Sequence, residues 1–318
     1  SGKQIWQQSY EAPYEMHNAA RGHGKGPKST PCVADGRIFT LGIDGIFQCR
    51  RTSDGELLWQ AADDLPAGSP LYGAATSPLV VDEMVIIHLG KHDRGALVAF
   101  AVETGRVRWR WDDDGPAYTS PVVMEFAGQR QIVTQSQKFC LAFSLDGKLL
   151  WKIPFKTGYD QNSVTPIQFK DTVIFSGFQK GVAAYRPRLQ DGKWQVDELW
   201  HTDDVSLYMN SPVLVGERLF GYSQKNKGQL FCLNATSGKT IWLGPPRQAR
   251  NAALWATGDF ITAQLTDGRF IVLDAAADEY QVAAEYTLAE SPVWAHPALF
   301  GQNILVKDET SLTLWSLP

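Results

Sequence analysis

Three observations predict that this chain is an all-β protein, a seven-bladed β-propeller of four-stranded blades. A segment that starts with a small polar residue and Pro recurs along the 318 residues. A second segment, an apolar strand and a tight turn ending in Gly, followed by Trp, recurs in step with it. The composition, with 28 Gly, 17 Pro and 11 Trp, is typical of many turns between short strands.

The first repeated segment sets the period of the chain. Its copies are 41 to 47 residues apart, and the sixth copy has Ala in place of Pro. The equivalent positions are Pro31, Pro78, Pro121, Pro166, Pro212, Ala253 and Pro297. A Pro at the start of a strand removes no hydrogen bond from the sheet, so each copy indicates a first strand and the turn after it.

The second repeated segment marks the third and fourth strands of each unit. Its Trp residues are Trp59, Trp109, Trp151, Trp200 and Trp242, and Tyr286 replaces Trp in the sixth copy. A lone copy of the fourth strand, GKQIW ending at Trp6, stands at the N-terminus, whereas the last unit has no fourth strand. We expect residues 2–8 to pair with the last blade, which closes the ring and hides two sheet edges.

The repeat divides the chain into blades rather than into the two domains that its length suggests. We expect one propeller domain over residues 1–318, or eight blades in a longer parent chain. The predicted blades are 29–62, 76–112, 118–154, 163–203, 209–245, 251–289, and 292–318 together with 2–8.

The turns and the Trp after each of them resemble the quinoprotein, or PQQ-like, propeller repeat, including its BamB-like members. The resemblance covers nearly the whole chain and implies that each Trp docks between neighbouring blades, near a turn Gly. It gives a structural role to Trp6, Trp59, Trp109, Trp151, Trp200 and Trp242. It also implies a periplasmic or otherwise exported protein.

Composition excludes several classes of function. No run of 18 apolar residues exists, so no segment is predicted to span a membrane. The net charge of -4 gives no general attraction to nucleic acid, so we expect the protein not to bind it. We also expect a monomer. Cys32, Cys49, Cys140 and Cys232 lie in separate apolar runs, which favours buried thiols but leaves their disulfide state open.

Candidate binding residues lie on the loops that enter each first strand or join the second and third strands. The longest loop, residues 9–28, carries His23 and Lys28, but Pro27 precedes Lys28, so the Gly-rich stretch is not a phosphate loop. His88 and His92 are four residues apart on a predicted strand and turn, where that spacing does not favour a metal site. The full set is His23, Lys28, His88, His92, Arg94, Tyr159, Tyr208, Asn210, Arg250, Asn251, Trp294 and His296.

Two hypotheses of function remain. Basic residues on these loops and acidic residues on the opposite turns predict a surface that binds a protein partner or an anionic small molecule. The alternative that the resemblance implies is a dehydrogenase of alcohols or sugars that uses PQQ and Ca²⁺. The chain has no adjacent Cys pair, no GxSxG and no HExxH, so we expect a scaffold without catalytic residues, metal or cofactor.

Overall fold

A computed structural model describes residues 2–62 and 64–316 of the chain. These residues form 27 β-strands and three short 3₁₀-helices, at Asn18–His23, Gly158–Asp160 and Lys225–Lys227. No helix in the described ranges is long and apolar enough to cross a membrane. Contacts group the chain into two compact units: unit 1 holds Ser1–Pro166 and Pro187–Val196, and unit 2 holds Ile167–Arg186 and Asp197–Pro318.

Unit 1 contains three antiparallel sheets whose four strands lie side by side in chain order. The first sheet has β1 (Cys32–Ala34), β2 (Arg37–Leu41), β3 (Phe47–Arg51) and β4 (Leu57–Gln60). The second has β5 (Leu79–Val81), β6 (Met84–Lys91), β7 (Arg94–Ala101) and β8 (Val107–Trp111). The third has β9 (Val122–Phe126), β10 (Gln129–Gln135), β11 (Phe139–Ser144) and β12 (Leu149–Pro154).

The fourth sheet consists of β13 (Ile167–Phe169), β14 (Thr172–Ser176), β15 (Val182–Gln190) and β16 (Lys193–Thr202). Unit 2 continues with β17 (Val213–Val215), β18 (Arg218–Ser223), β19 (Gln229–Asn234) and β20 (Thr240–Leu243). The sixth sheet has β21 (Ala252–Thr257), β22 (Phe260–Leu265), β23 (Arg269–Asp274) and β24 (Val282–Thr287). The seventh has β25 (Ala298–Phe300), β26 (Asn303–Lys307) and β27 (Leu312–Ser316).

The repeated Pro positions sit where the sequence predicts strand starts. Pro31, Pro78 and Pro121 directly precede β1, β5 and β9, where a missing N–H costs the sheet nothing. The inner strands are apolar runs because both of their faces are covered, and β6 is buried from Val85 to Gly90. These strands place the loops between them at fixed positions.

Apolar side chains of consecutive sheets pack against one another inside each unit. In unit 1, Phe39, Phe47 and Trp59 of the first sheet share one cluster with Ile87 and Phe100 of the second. The rings of Trp59 and Phe100 stack with centroids 5.8 Å apart. In unit 2, the fifth and sixth sheets build an equivalent cluster whose central members include Phe220, Trp242, Ile261 and Ile271.

The Trp at the end of the fourth strand reaches the next sheet along the chain. The indole Nε1 of Trp59 donates to the backbone oxygen of Val102 at 2.9 Å, and its ring covers Gly105. Trp109 makes the same kind of bond to Leu145 at 2.9 Å, and Trp200 makes it to Ala235 at 3.1 Å. Trp6 repeats it at the first sheet, with Nε1 2.7 Å from Thr52 O.

Two fourth-strand Trp residues make other contacts. Trp151 donates to the side-chain oxygen of Gln131 in its own sheet at 2.8 Å. Trp242 packs edge-on against Tyr280, with ring centroids 5.5 Å apart. All four cysteines are free thiols, and Cys49, Cys140 and Cys232 are buried.

The chain is an all-β, seven-bladed β-propeller, as the repeat predicts. Six of the sheets have four strands, and the seventh has three within the described residues. Residues 2–8 are not in a strand, so their pairing with the last blade stays a prediction. The same holds for the single domain and for an eighth blade in a longer chain.

Candidate functional site

The loops at one end of the unit 1 sheets are joined by side-chain hydrogen bonds. We call this region the loop surface of unit 1, defined as residues 61–62, 64–78, 91–94, 112–121, 136–138 and 155–166. Strands β6 and β7 pair Lys91 with Arg94, so their hairpin turn consists of His92 and Asp93 alone. This tight turn fixes the position of His92 over the loop that leads from β8 to β9.

His92 is held on both ring nitrogens. Its Nδ1 lies 2.9 Å from the backbone oxygen of Pro116, and its Nε2 lies 3.1 Å from the hydroxyl of Tyr118. The two rings meet edge to face with centroids 5.4 Å apart. Burial lowers the pKa of His92, so the ring is neutral at pH 7 and bridges two loops.

A second line of contacts runs through two tyrosines. The hydroxyl of Tyr118 accepts from the backbone N–H of Tyr72 at 3.2 Å, and Gln161 donates to the hydroxyl of Tyr72 at 3.2 Å. Lys28, half-buried, donates from Nζ to the backbone oxygen of Tyr72 at 2.6 Å, and this burial lowers its pKa. Lys28 therefore fastens the N-terminal segment to the loop after β4.

Asp114 is a fully buried carboxylate at the base of the loop surface. Its Oδ2 accepts from the hydroxyl of Ser136 at 2.6 Å and from the backbone N–H of Lys138 at 2.8 Å. Its Oδ1 lies 3.3 Å from the ammonium of Lys138, whose side chain is half exposed while that of Asp114 is fully covered. The positive partner of this ion pair thus faces solvent.

His88 belongs to the interior of the second sheet rather than to its surface. It is only 2% exposed on β6, and its Nε2 lies 3.1 Å from the backbone oxygen of Asp114. Burial lowers its pKa to about 4. A neutral, buried ring at this place braces the loop after β8.

Asn162 anchors the loop that follows the third sheet. Its side-chain nitrogen contacts the backbone oxygens of Ser136 at 2.7 Å, Phe155 at 2.9 Å and Gln137 at 3.2 Å. On the same loop, Tyr159 is 78% exposed. Arg94 is also exposed, next to the His92 turn. The side chain of His23, which the sequence singles out, lies outside the described part of the structure.

The predicted site residues of unit 2 form two small groups. Asn210 donates to the side-chain oxygen of Asn251 at 3.0 Å, and Asn251 donates to the backbone oxygen of Met209 at 2.8 Å. His296, an exposed residue, packs edge-on against Trp255 with centroids 5.5 Å apart.

The three remaining predicted residues of unit 2 are at least partly accessible. Tyr208 is half-buried against Phe178, with ring centroids 5.0 Å apart. Arg250 is exposed, and Trp294 is 47% exposed.

Sequence reasoning missed the residues that hold the loop surface of unit 1 together. They are Tyr72, Asp114, Tyr118, Gln161 and Asn162. Asp114 and Asn162 share one local feature, since each stands a few residues before the Pro that begins or precedes the next repeat. That feature marks a loop entry but does not identify the partner of either side chain.

The donor set fits the calcium ion of the dehydrogenase hypothesis poorly. Among residues 2–62 and 64–316, no group of three or more His, Cys, Asp or Glu side chains is placed to hold a metal. Asp114 is already engaged by Ser136 and Lys138. The depression beside His88, lined by Gly68, Pro70, Ala74 and Pro116 among others, has essentially no room for a water-sized sphere. The residues of the loop surface of unit 1 therefore fit neither calcium nor PQQ.

The sheets and their docked Trp residues define this protein as a PQQ-like β-propeller. Residues 1–244 match the family model described as outer membrane protein assembly factor BamB. That match covers most of the chain, and the chain belongs to this family. A comparison with curated protein sequences gives no match.

Solved structures with low sequence identity share the fold. BamB from Moraxella catarrhalis superimposes with a TM-score of 0.66 at 13% identity, covering 91% of this chain and 83% of that one. The quinohemoprotein alcohol dehydrogenase ADHIIG from Pseudomonas putida HK5 gives a TM-score of 0.64 at 14% identity, over 90% of this chain and 63% of that one.

The quinohemoprotein alcohol dehydrogenase from Comamonas testosteroni gives a TM-score of 0.64 at 12% identity, over 91% of this chain and 64% of that one. This chain therefore spans less than two thirds of either dehydrogenase. At such identities these likenesses concern the fold alone.

Proposed function

We propose that this protein is a non-catalytic binding module, and that the loop surface of unit 1 binds a protein partner through anionic groups. The observation that carries the proposal is the state of the titratable groups on this surface. Both nitrogens of His92 are engaged, Asp114 is buried and paired, and His88 is enclosed and neutral. A general acid or base needs a free position facing a substrate, and these groups do not offer one.

The same contacts make the surface rigid. Three loops and two hairpin turns are tied by His92, Tyr118, Tyr72 and Asn162, so little ordering is required when a partner docks. Charge on this surface is mixed, because Asp93, Asp112 and Asp113 are also exposed there. Attraction to an anionic partner is therefore local to the exposed cations Lys91, Arg94, Lys138 and Lys156 and does not extend over the whole surface.

Family membership supports a location outside the cytoplasm. The matching family is described as an outer membrane protein assembly factor, and a rigid propeller is suited to holding other proteins in place. We propose a periplasmic or otherwise exported scaffold. Cell fractionation of the full gene product, followed by immunoblotting, tests this location, and recovery from the cytoplasm alone contradicts it.

Binding is tested with a defined probe, fluorescein-labelled poly-L-glutamate, by fluorescence anisotropy. We expect the wild-type protein to bind it, with an affinity that falls as ionic strength rises, because exposed charges are screened by salt. The double charge reversal Lys138→Glu with Lys156→Glu should abolish binding. The matched control Lys307→Glu changes an exposed Lys on β26 of unit 2 and should leave the affinity unchanged.

Two results contradict the proposal. One is binding of poly-L-glutamate that does not depend on salt or on the two lysines. The other is turnover: protein incubated with PQQ and Ca²⁺ that reduces an electron-accepting dye with alcohols or aldoses is an enzyme, not a scaffold. We expect no dye reduction above that of heat-denatured protein.

A further inference from the structure

Tyr159 has an unusual backbone for an exposed aromatic residue. Its φ is 58°, and the next residue, Asp160, has a φ of 55°. Residues with a side chain seldom adopt this left-handed region, and two in succession store strain. The side chain of Tyr159 is 78% exposed, so burial of the ring does not offset the strain.

The surrounding contacts maintain this conformation. Asn162 donates to two backbone oxygens of the neighbouring 136–138 turn and to one of its own loop, and Gln161 donates to Tyr72. Asp160 pairs with Lys156 at 3.5 Å. The three residues after Tyr159 are therefore held by side-chain contacts, while the Tyr159 ring itself is largely exposed. Strained residues held in this way cluster at binding sites.

Two exposed lysines lie on or next to the loop that carries Tyr159. The side chains of Lys138 and Lys156 are 49% and 62% exposed, whereas their partners Asp114 and Asp160 are 0% and 29% exposed. The backbone N–H of Phe155 donates to Lys138 O at 2.8 Å, so the two lysines stand on neighbouring strand ends. Each ammonium group is more exposed than the carboxylate that pairs with it, so the positive end of each ion pair faces solvent.

We propose that Tyr159 anchors an extended acidic segment of a protein partner. An apolar side chain of that segment packs on the Tyr159 ring, and carboxylates on either side meet Lys138 and Lys156. Tyr beside cations is a common anchor at protein interfaces. This inference rests on the proposed function. It adds the residue that would distinguish an acidic segment with an apolar side chain from a chain that carries carboxylates alone.

The test uses two fluorescein-labelled peptides, one with glutamates around a single Phe and one with Ala in place of Phe. We expect the wild-type protein to prefer the Phe peptide. Tyr159→Ala should lower the affinity for the Phe peptide about tenfold or more. Tyr159→Phe, which keeps the ring, should bind that peptide nearly as tightly as wild type. Both variants should leave the weaker Ala peptide almost unaffected.

Tyr159→Gly separates a binding role from a structural one. Gly adopts positive φ without strain, so the melting temperature of this variant should stay the same or rise. Its binding of the Phe peptide should nevertheless be lost. Tyr286→Ala removes a partly exposed Tyr from β24 and is the matched control, with no expected effect on binding.

The outcomes separate the two proposals. If Tyr159→Ala binds the Phe peptide as tightly as wild type while poly-L-glutamate still binds, the anchor is wrong and the binding module stands. If wild-type protein binds neither peptide nor poly-L-glutamate, both proposals fail. A Tyr159→Gly protein that melts well below wild type shows that the ring supports the fold, which overturns the anchor.

Discussion

His88 lies where a charged ring has no access to water, and it makes stability depend on pH. Its pKa is lowered from 6.5 to about 4 by burial. As the pH falls below 6.5, the ring becomes protonated in the unfolded chain but stays neutral in the folded chain. Acid therefore favours unfolding. We expect the free energy of unfolding to fall by about 2 kcal/mol from this residue between about pH 7.5 and about pH 5.

Urea unfolding of wild type and His88→Gln at the two pH values measures this effect. The variant should be less stable near neutrality but should lose less stability on acidification, because Gln does not titrate. His201→Gln replaces an exposed histidine of unit 2 and should keep the wild-type pH dependence. If stability depends on pH equally in wild type and in His88→Gln, the pKa of His88 is the same in the folded and unfolded chains and burial does not lower it.

At the level of the element, the contact between a fourth-strand Trp and the next turn Gly holds successive sheets together. Gly105 has a φ of +67°, and a Cβ on it would lie 2.6 Å from the Trp59 ring. Gly128 has a φ of +72° but open space around it. Ala at either position costs about 1–2 kcal/mol of stability, because a residue with a Cβ is strained at positive φ. Only at Gly105 would the Cβ also collide with the Trp59 ring.

We therefore expect Gly105→Ala to lower the free energy of unfolding by about 2 kcal/mol more than Gly128→Ala does, since overpacking a dense contact costs about 1–3 kcal/mol. Chemical denaturation followed by Trp fluorescence gives both values. Equal losses in the two variants would mean that Trp59 moves aside without cost and that the contact does not hold the sheets.

The strands were predictable because their information is local. Pro before a first strand and Trp at the end of a fourth strand are sequence features within one repeat, and they predict the seven sheets. The loops were not predictable in this way. Asn162 binds Ser136, 26 residues away, and Gln161 binds Tyr72, 89 residues away. No periodic pattern encodes such pairs, so the display of Tyr159 and the burial of His88 emerge only from the structure.

For the molecule as a whole, a low net charge and the exposed apolar face of the seventh sheet both favour self-association. The net charge is -4 with a sequence pI of about 5.9, so electrostatic repulsion between copies is weak in mild acid. On the seventh sheet, Phe300, Leu312 and Leu314 are 51%, 64% and 57% exposed. Alternation along β27 and its register with β26 place them on the face opposite the buried Ile304.

We expect a monomer at low concentration near pH 8 and reversible self-association near pH 5.9, measured by static light scattering. Leu312→Ser with Leu314→Ser should reduce the association without changing the net charge, because it removes exposed apolar area. Leu312→Lys with Leu314→Lys should reduce it further and move its maximum to higher pH, since two positive charges are added. Association that responds to the Lys pair but not to the Ser pair would assign the effect to charge and leave the apolar face of the seventh sheet without a part in it.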